Sequence, residues 1–284
     1  MDSAARPEVT VVIGVRNGAA TLQRCLDSIA AQDYGARETV VVDGASDDGT
    51  VELIERNARE GKIDDWISEP DGGVYSAWNK AIRRSRGRWL SFLGCDDAFH
   101  DASSLRALVE AAEAGDGRAR VVYGRIHRVA AGGTLVETIG EPWQAARSAF
   151  FRGANIPHPG TLHRRDLLEQ RGLFDESYRI AADYHLLLGE FLERDPAFVD
   201  RVVLDMGFGG MSSRPGNILT SLREVARARR AHGLRGTPLW LQGRIAAATF
   251  GAFVYRLLGD AAYRRLADRY RALRGRPPIW TVQP

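Results

Sequence analysis

The sequence predicts an α/β fold in which a mostly parallel sheet is flanked by helices. Short apolar runs alternate with stretches of helical periodicity over the first hundred residues, and polar residues gather just beyond the apolar runs. The composition, 44% hydrophobic and 26% charged in 284 residues, is globular and excludes disorder, collagen and a disulfide scaffold.

Val9-Thr10-Val11-Val12-Ile13-Gly14 reads as a buried strand, and Ala20, Leu22, Cys25, Leu26 and Ile29 then recur at helical spacing. Residues 38–43 form the next strand and 44–49 a turn, with Thr50 placed as the N-cap of a helix through Val51, Leu53, Ile54 and Ala58. Residues 65–67 give a short third strand, 74–85 a helix, and 88–93 a fourth strand running into Gly94-Cys95-Asp96-Asp97. After a helix over 103–114 the pattern loosens into a strand at 121–125 and a hairpin-like turn at 130–134, expected to form a mixed sheet covering the first half. A main body over residues 1–213 is expected, dividing at about residue 100.

Composition changes abruptly beyond residue 213. Residues 1–213 carry 25 basic and 33 acidic side chains, whereas residues 214–284 carry 14 and 3, so a net charge of +3 conceals a basic, mainly helical C-terminal extension. Ile218, Leu219, Leu222, Val225 and Ala226 line one helical face there, and Leu266, Tyr270 and Leu273 repeat the arrangement among arginines. Such a segment either packs on the body or lies on an anionic membrane surface. The most apolar stretch, 239–258, has only 11 uncharged residues in a row, which predicts a segment too short to span a bilayer. No nucleic-acid module accompanies the charge, so no nucleic-acid partner is expected. With Cys25 and Cys95 the only cysteines and no secretory pattern at the N-terminus, a cytoplasmic protein is expected, peripheral on the inner face of the membrane if the extension is interfacial.

The chemistry concentrates in three polar segments at predicted strand ends or helix starts: 43–50, 71–80 and 93–97. In open α/β sheets ligands bind along that edge. Adjacent carboxylates such as Asp96 and Asp97 after an apolar strand are costly unless a cation compensates them, and a hard divalent ion with a diphosphate is the natural compensation.

Over residues 9–213 the order and spacing of these motifs resemble the family 2 glycosyltransferases, which implies that residues 1–213 are a catalytic domain of the GT-A fold, Rossmann-like with a mixed, mostly parallel sheet, with nucleotide-sugar binding at about 9–100 and the acceptor and base region at about 101–213. Val15, Arg16 and Asn17 match the family's nucleotide-contacting loop, and Asp43 and Ser46 lie in the segment that meets the nucleoside. Asp71, Asn79 and Lys80 match the donor-side helix, and 93–97 matches the Asp-x-Asp equivalent, so the resemblance assigns Mg²⁺ or Mn²⁺ to Asp97 and the ribose or the metal's water shell to Asp96. Residues 174–176 and 180–184 resemble the segment that supplies the catalytic base, which makes Asp183 the candidate. The family inverts the anomeric centre, moving a sugar from a UDP-, dTDP- or GDP-linked donor to an acceptor hydroxyl. Ser76 and Arg16 depart from the common pattern and leave the donor's base and sugar open. The Gln-x-x-Arg-Trp motif of processive synthases is absent, so one sugar per encounter is expected.

His158, between Pro157 and Pro159, is read as a contact to phosphate or acceptor, against a turn histidine with no role, while Gly209-Gly210-Met211-Ser212 resembles a segment near the diphosphate. Cys95 fills space beside the carboxylates. A lipid-linked or glycolipid acceptor would give the extension a use. The alternatives are a catalytically silent sugar-nucleotide or membrane-binding subunit, or a sugar nucleotidyltransferase, whose Gly-rich, Arg-containing loop is not visible. A nicotinamide dehydrogenase is a weaker alternative still, because no Gly-x-Gly-x-x-Gly follows a strand.

Overall fold

The computed structural model describes residues 7–114, 117–130, 133–207, 215–273 and 275. The resemblance to a diphosphate-proximal segment at 209–212 lies outside the described residues. A nine-stranded sheet runs β3-β2-β1-β4-β8-β6-β9-β5, with β7 paired to β6. Its parallel half consists of β1 (Val9–Val15), β2 (Arg37–Asp43), β3 (Asp65–Ser68) and β4 (Trp89–Gly94). The other half joins β5 (Ala98–Phe99), β6 (Val121–Val129), β7 (Leu135–Ile139), β8 (Leu162–Arg164) and β9 (Ala197–Gly207), with β6 and β9 parallel and the remaining pairs antiparallel. The second half therefore extends the first edge to edge and does not cover it.

Alternation along the strands fills two apolar layers. Val9, Val11 and Ile13 face α1 (Leu22–Ala30), α2 (Thr50–Arg59) and α4 (Ser104–Glu113), through Leu22, Leu26, Ile54 and Leu108 among others. On the opposite face Val12, Val40, Val42, Leu90 and Phe92 pack with α3 (Val74–Arg84), α5 (Trp143–Arg152), α6 (Arg165–Arg171) and α7 (Ala182–Phe191). Arg120 and Glu190 form a buried two-point ion pair in that second half, with Nε–Oε1 at 2.9 Å and both side chains under 5% exposed.

Thr50 is not an N-cap. Gly49 takes that position at φ 94°, which glycine adopts without a Cβ penalty, and Thr50 is fully buried with its Oγ1 accepting the Gly18 N–H at 2.9 Å.

The basic extension divides into two parts. In α8 (Pro215–Ala231) Leu222, Val225, Ala226 and Ala228 enter the same core as α5 and α7. Gly153, left-handed at φ 114°, makes the approach possible, because a side chain there would meet Val225 Cγ1 at 2.8 Å. In contrast, α9 (Leu239–Ala272) is largely exposed. Gly259, at φ 79° and ψ 179°, breaks its helical course. Beyond the break the chain folds back: the Tyr255 and Tyr263 rings lie 5.9 Å apart, and a side chain at Gly251 would touch Tyr263 at 3.1 Å. A straight helix would separate residues 251 and 263 by about 18 Å. The expectation of a segment too short to span is also corrected. This helix contains an 18-residue stretch of mean hydropathy 1.2 with no more than two charged residues, long and apolar enough by length and composition to cross a membrane. Counting only the uninterrupted uncharged run missed it because single arginines do not cancel the surrounding leucines and phenylalanines.

Candidate active site

The site lies at the C-terminal ends of β1, β2 and β4. Two loops are zipped together there by local hydrogen bonds. Asn17, left-handed at φ 54°, donates its N–H to Ser46 Oγ at 2.7 Å and accepts the Asp47 N–H at Oδ1 at 3.1 Å. Val15 is buried in the strand end and its carbonyl accepts the Gly44 N–H, while Arg16 is exposed. Asp43 is fully buried. Its carboxylate accepts the Ser46 N–H at 2.9 Å and the Ser68 hydroxyl at 2.7 Å, so it shapes the loop from below. Asp71 stands against the same loop, since a side chain on Gly44 would meet Asp71 Oδ2 at 2.9 Å and the Arg16 Cβ at 3.4 Å.

Three residues predicted as donor contacts are engaged within the protein. Asn79 is buried with both ends of its amide spent: Nδ2 donates to the Phe174 carbonyl and to Glu176, and Oδ1 accepts the Phe174 N–H. It clips residues 174–176 to α3. Lys80 ties down the chain before Asp71, through the Pro70 carbonyl at 3.1 Å and Glu69 at 2.7 Å. His158 is a core residue, stacked on Trp78 at 5.1 Å and buried. Burial pushes its pKa down to about 3, so at neutral pH it carries no charge for a phosphate.

Glycines form the floor beneath the carboxylates. Gly14 in β1 pairs with Gly94 in β4. A side chain on Gly94 would sit 2.7 Å from Asp96 Oδ1 and 3.1 Å from Asp97 Oδ2, and one on Gly207 would sit 2.7 Å from Asp96 Oδ2. The two carboxylates thus converge on space that only glycines leave open. Asp97 is buried, accepting the Gly94 N–H at 2.7 Å and the Gly207 N–H at 3.3 Å. Arg24 bonds the backbone carbonyl of Asp96, and among the described residues neither carboxylate has a salt-bridge partner. Burial, and then the neighbouring Asp96 charge, raise Asp97 to about 8. An oxygen-only donor set short of positive charge fits a hard divalent cation such as Mg²⁺ or Mn²⁺.

Asp183 occupies the first turn of α7, half-buried, with Tyr75 Oη 3.0 Å from Oδ1 and Asn155 Nδ2 donating to Oδ2 at 2.7 Å. Burial raises its pKa against these hydrogen bonds, which makes it a stronger base than an ordinary carboxylate. Tyr75 opens α3, and its neighbour Trp78 reaches over Gly14, 3.3 Å from where a side chain would stand. Asp183 is therefore linked through α3 to the strand ends that carry Asp96 and Asp97. The chain just before it is held by a residue that sequence reasoning missed: Glu224 of α8 accepts the N–H groups of Arg179, Ile180 and Ala181 at 2.8, 2.8 and 2.9 Å. Its signal was its rarity, as one of only 3 acidic residues in the basic extension. Tyr75 stood inside a noted motif, but Asn155 gave no sign.

Comparison with known proteins defines the class as a glycosyltransferase that uses a nucleotide sugar. The chain belongs to glycosyl transferase family 2, whose model matches residues 10–166. It is 34% identical over 224 residues to a PGL/p-HBAD biosynthesis glycosyltransferase of Mycobacterium bovis, covering 74% of this chain and 80% of the relative. It is 29% identical over 246 residues to an uncharacterized glycosyltransferase of Mycobacterium tuberculosis, covering 84% and 91%. Its fold is similar to that of S. aureus TarS 1–349 in complex with UDP-GlcNAc, with a TM-score of 0.63 at 18% identity over 90% of this chain and 83% of that one. It is also similar to the mannosyltransferase PcManGT from Pyrobaculum calidifontis in complex with GDP-Man and Mn²⁺, with a TM-score of 0.62 at 22% identity over 95% and 81%. The GT-A expectation is met. These family findings set aside the nucleotidyltransferase reading.

The raised Asp97 carboxyl makes a pH prediction. Folded protein binds this proton more tightly than unfolded chain, so its stabilisation is full below the ordinary carboxylate range and is lost as pH rises toward about 8. In EDTA, denaturant melts should show the wild type losing stability relative to Asp97→Asn between pH 4 and 8. Parallel pH profiles for the two proteins would contradict the assignment.

Proposed function

We propose that this chain is a metal-dependent, inverting glycosyltransferase that moves one sugar from a nucleoside-diphosphate sugar to an acceptor hydroxyl, with Asp183 as base and Asp97 as metal ligand. The observation that carries the reading is the pair of unlike carboxylate environments. One is buried beside a second carboxylate and short of positive charge; the other is held by Tyr75 and Asn155 and made more basic by burial.

The nucleoside and ribose are assigned to the zipped loops with Val15, Arg16, Asn17, Asp43, Ser46 and Asp71, with Asp96 toward the ribose. Asp97, with Asp96 in reach of the same space, would hold Mg²⁺ or Mn²⁺, which when bound supplies Lewis-acid stabilisation of the diphosphate's developing charge. At the other end an acceptor hydroxyl gives its proton to the Asp183 carboxylate as its oxygen bonds to the anomeric carbon. The bond from that carbon to the diphosphate breaks on the opposite face, and the diphosphate keeps the electron pair. General-base assistance of this kind contributes roughly 10²–10⁴-fold. Tyr75 and Asn155 fix the carboxylate's orientation, and Glu224 fixes the backbone before it.

The acceptor is assigned to a membrane surface, as a lipid-linked or glycolipid hydroxyl. Phe250, Phe253, Leu257 and Leu258 on α9 are 58–68% exposed, among exposed arginines such as Arg256 and Arg265. Apolar side chains flanked by cations suit the anionic cytoplasmic leaflet.

Asp183→Asn should leave metal-dependent donor binding intact while lowering transfer by about 10²-fold or more, and Asp97→Asn should weaken donor binding itself. Calorimetry and diphosphate release distinguish the two, and near-normal transfer by Asp183→Asn would defeat the assignment of the base. In vesicle flotation, replacing Phe253, Leu257 and Leu258 by Glu should release the protein from phosphatidylserine-containing vesicles. Equal flotation of the two proteins would remove α9 from the account.

A further inference from the structure

A second group of metal-ligating side chains lies outside the donor site. His100 follows β5, His127 lies in β6, and Asp205 lies in β9 between them. His127 and Asp205 are partners in the parallel β6/β9 ladder, and the His100 N–H bonds the Val203 carbonyl, so all three positions are fixed by paired backbone. Both imidazoles aim Nδ1 at one oxygen, with His100 Nδ1 at 2.9 Å and His127 Nδ1 at 3.4 Å from Asp205 Oδ1. One ligand atom from each residue falls within a set whose members are no more than 4.8 Å apart. The ligand atoms of a tetrahedral Zn²⁺ ion at 2.0–2.2 Å stand roughly 3.3–3.5 Å from one another. The observed spacings therefore need only small side-chain shifts to surround an ion. Among the described residues, the ion-pair partners of Asp205 are these two histidines, and no arginine neutralises it.

We propose that His100, His127 and Asp205 form a second cation site, for Zn²⁺ or a similar borderline-soft divalent ion, separate from the oxygen-only donor site at Asp96 and Asp97. Two imidazoles and a carboxylate suit Zn²⁺ better than Mg²⁺, and the side chains are 36%, 22% and 26% exposed, which leaves the fourth position to solvent. The placement gives the site a consequence. His100 is three residues beyond Asp97, and Asp205 is two residues before Gly207, whose N–H is bonded to Asp97 Oδ1. A bound ion ties β5 to β9 and β6, and thereby braces the strands from which the donor carboxylate and its backbone donor emerge.

The test uses the full chain, stripped of metal and titrated with Zn²⁺ in the presence of excess Mg²⁺. One Zn²⁺ per chain is expected to bind at micromolar concentration or below, and Co²⁺ in its place should give the intense visible bands of a low-coordinate ion. His127→Ala and Asp205→Asn should each weaken Zn²⁺ binding by roughly tenfold or more, whereas Asp97→Asn should retain it. X-ray absorption at the zinc edge of the wild type, which does not depend on any variant folding, should show two imidazole ligands. Absence of micromolar binding, a zinc environment without imidazole, or unchanged affinity in folded His127→Ala would overturn the proposal and leave the triad as a hydrogen-bonded group.

Discussion

The constraint on which the rest of the site depends is the cost of holding Asp97 buried against Asp96. Two neighbouring carboxylates at the end of an apolar strand repel each other and lose hydration. The backbone meets part of that cost through the Gly94 and Gly207 N–H groups. Space comes from Gly94 and Gly207, because a side chain on either would collide with a carboxylate. The charge is not met by any salt bridge among the described residues, and this is why the arrangement calls for a cation. The antiparallel half of the sheet enters here as well, since β9 delivers Gly207 to the end of the parallel half.

Asp183 is the opposite case. Its burial is balanced by a hydroxyl, an amide and the backbone, and its pKa stays raised, so it is prepared to take a proton. Tyr75 from α3 and Asn155 after α5 bond its carboxylate at the start of α7, and Glu224 from α8 holds the backbone just before it. The basic extension is in this sense part of the site, because α8 shares its core with α7 and a carboxylate of α8 holds the backbone leading to the base.

The parallel half of the fold was legible because β1, β2 and β4 each contain a run of apolar residues and the helices between them carry a clear apolar stripe. Beyond residue 121 that clarity fails. In β9 most residues are only partly buried and two register shifts interrupt its pairing with β6, so no clean period survives, and α7 is buried nearly all round. The placement of Asn17, Asp43, Asp71, Asp96 and Asp97 at strand ends was legible from their spacing. The surroundings of Asn79 and His158 were not legible because residue type and motif position say nothing of orientation: the Asn79 amide turns inward to residues 174–176, and His158 stacks in an aromatic core. The contacts of Glu224 and the cluster of His100, His127 and Asp205 were not legible, because their partners lie 43 to 105 residues away in the chain.

The most direct test of the central claim is thermal stabilisation by UDP, dTDP and GDP, each with Mn²⁺, with Mg²⁺ and with EDTA. A ligand at 100 times its Kd adds about 2.7 kcal/mol to the folded state, an easily measured shift. The account predicts that one nucleotide stabilises the protein with Mn²⁺ or Mg²⁺ and that EDTA abolishes the effect. Equal stabilisation in EDTA, or none with any nucleotide, would contradict a donor site built on metal-compensated carboxylates.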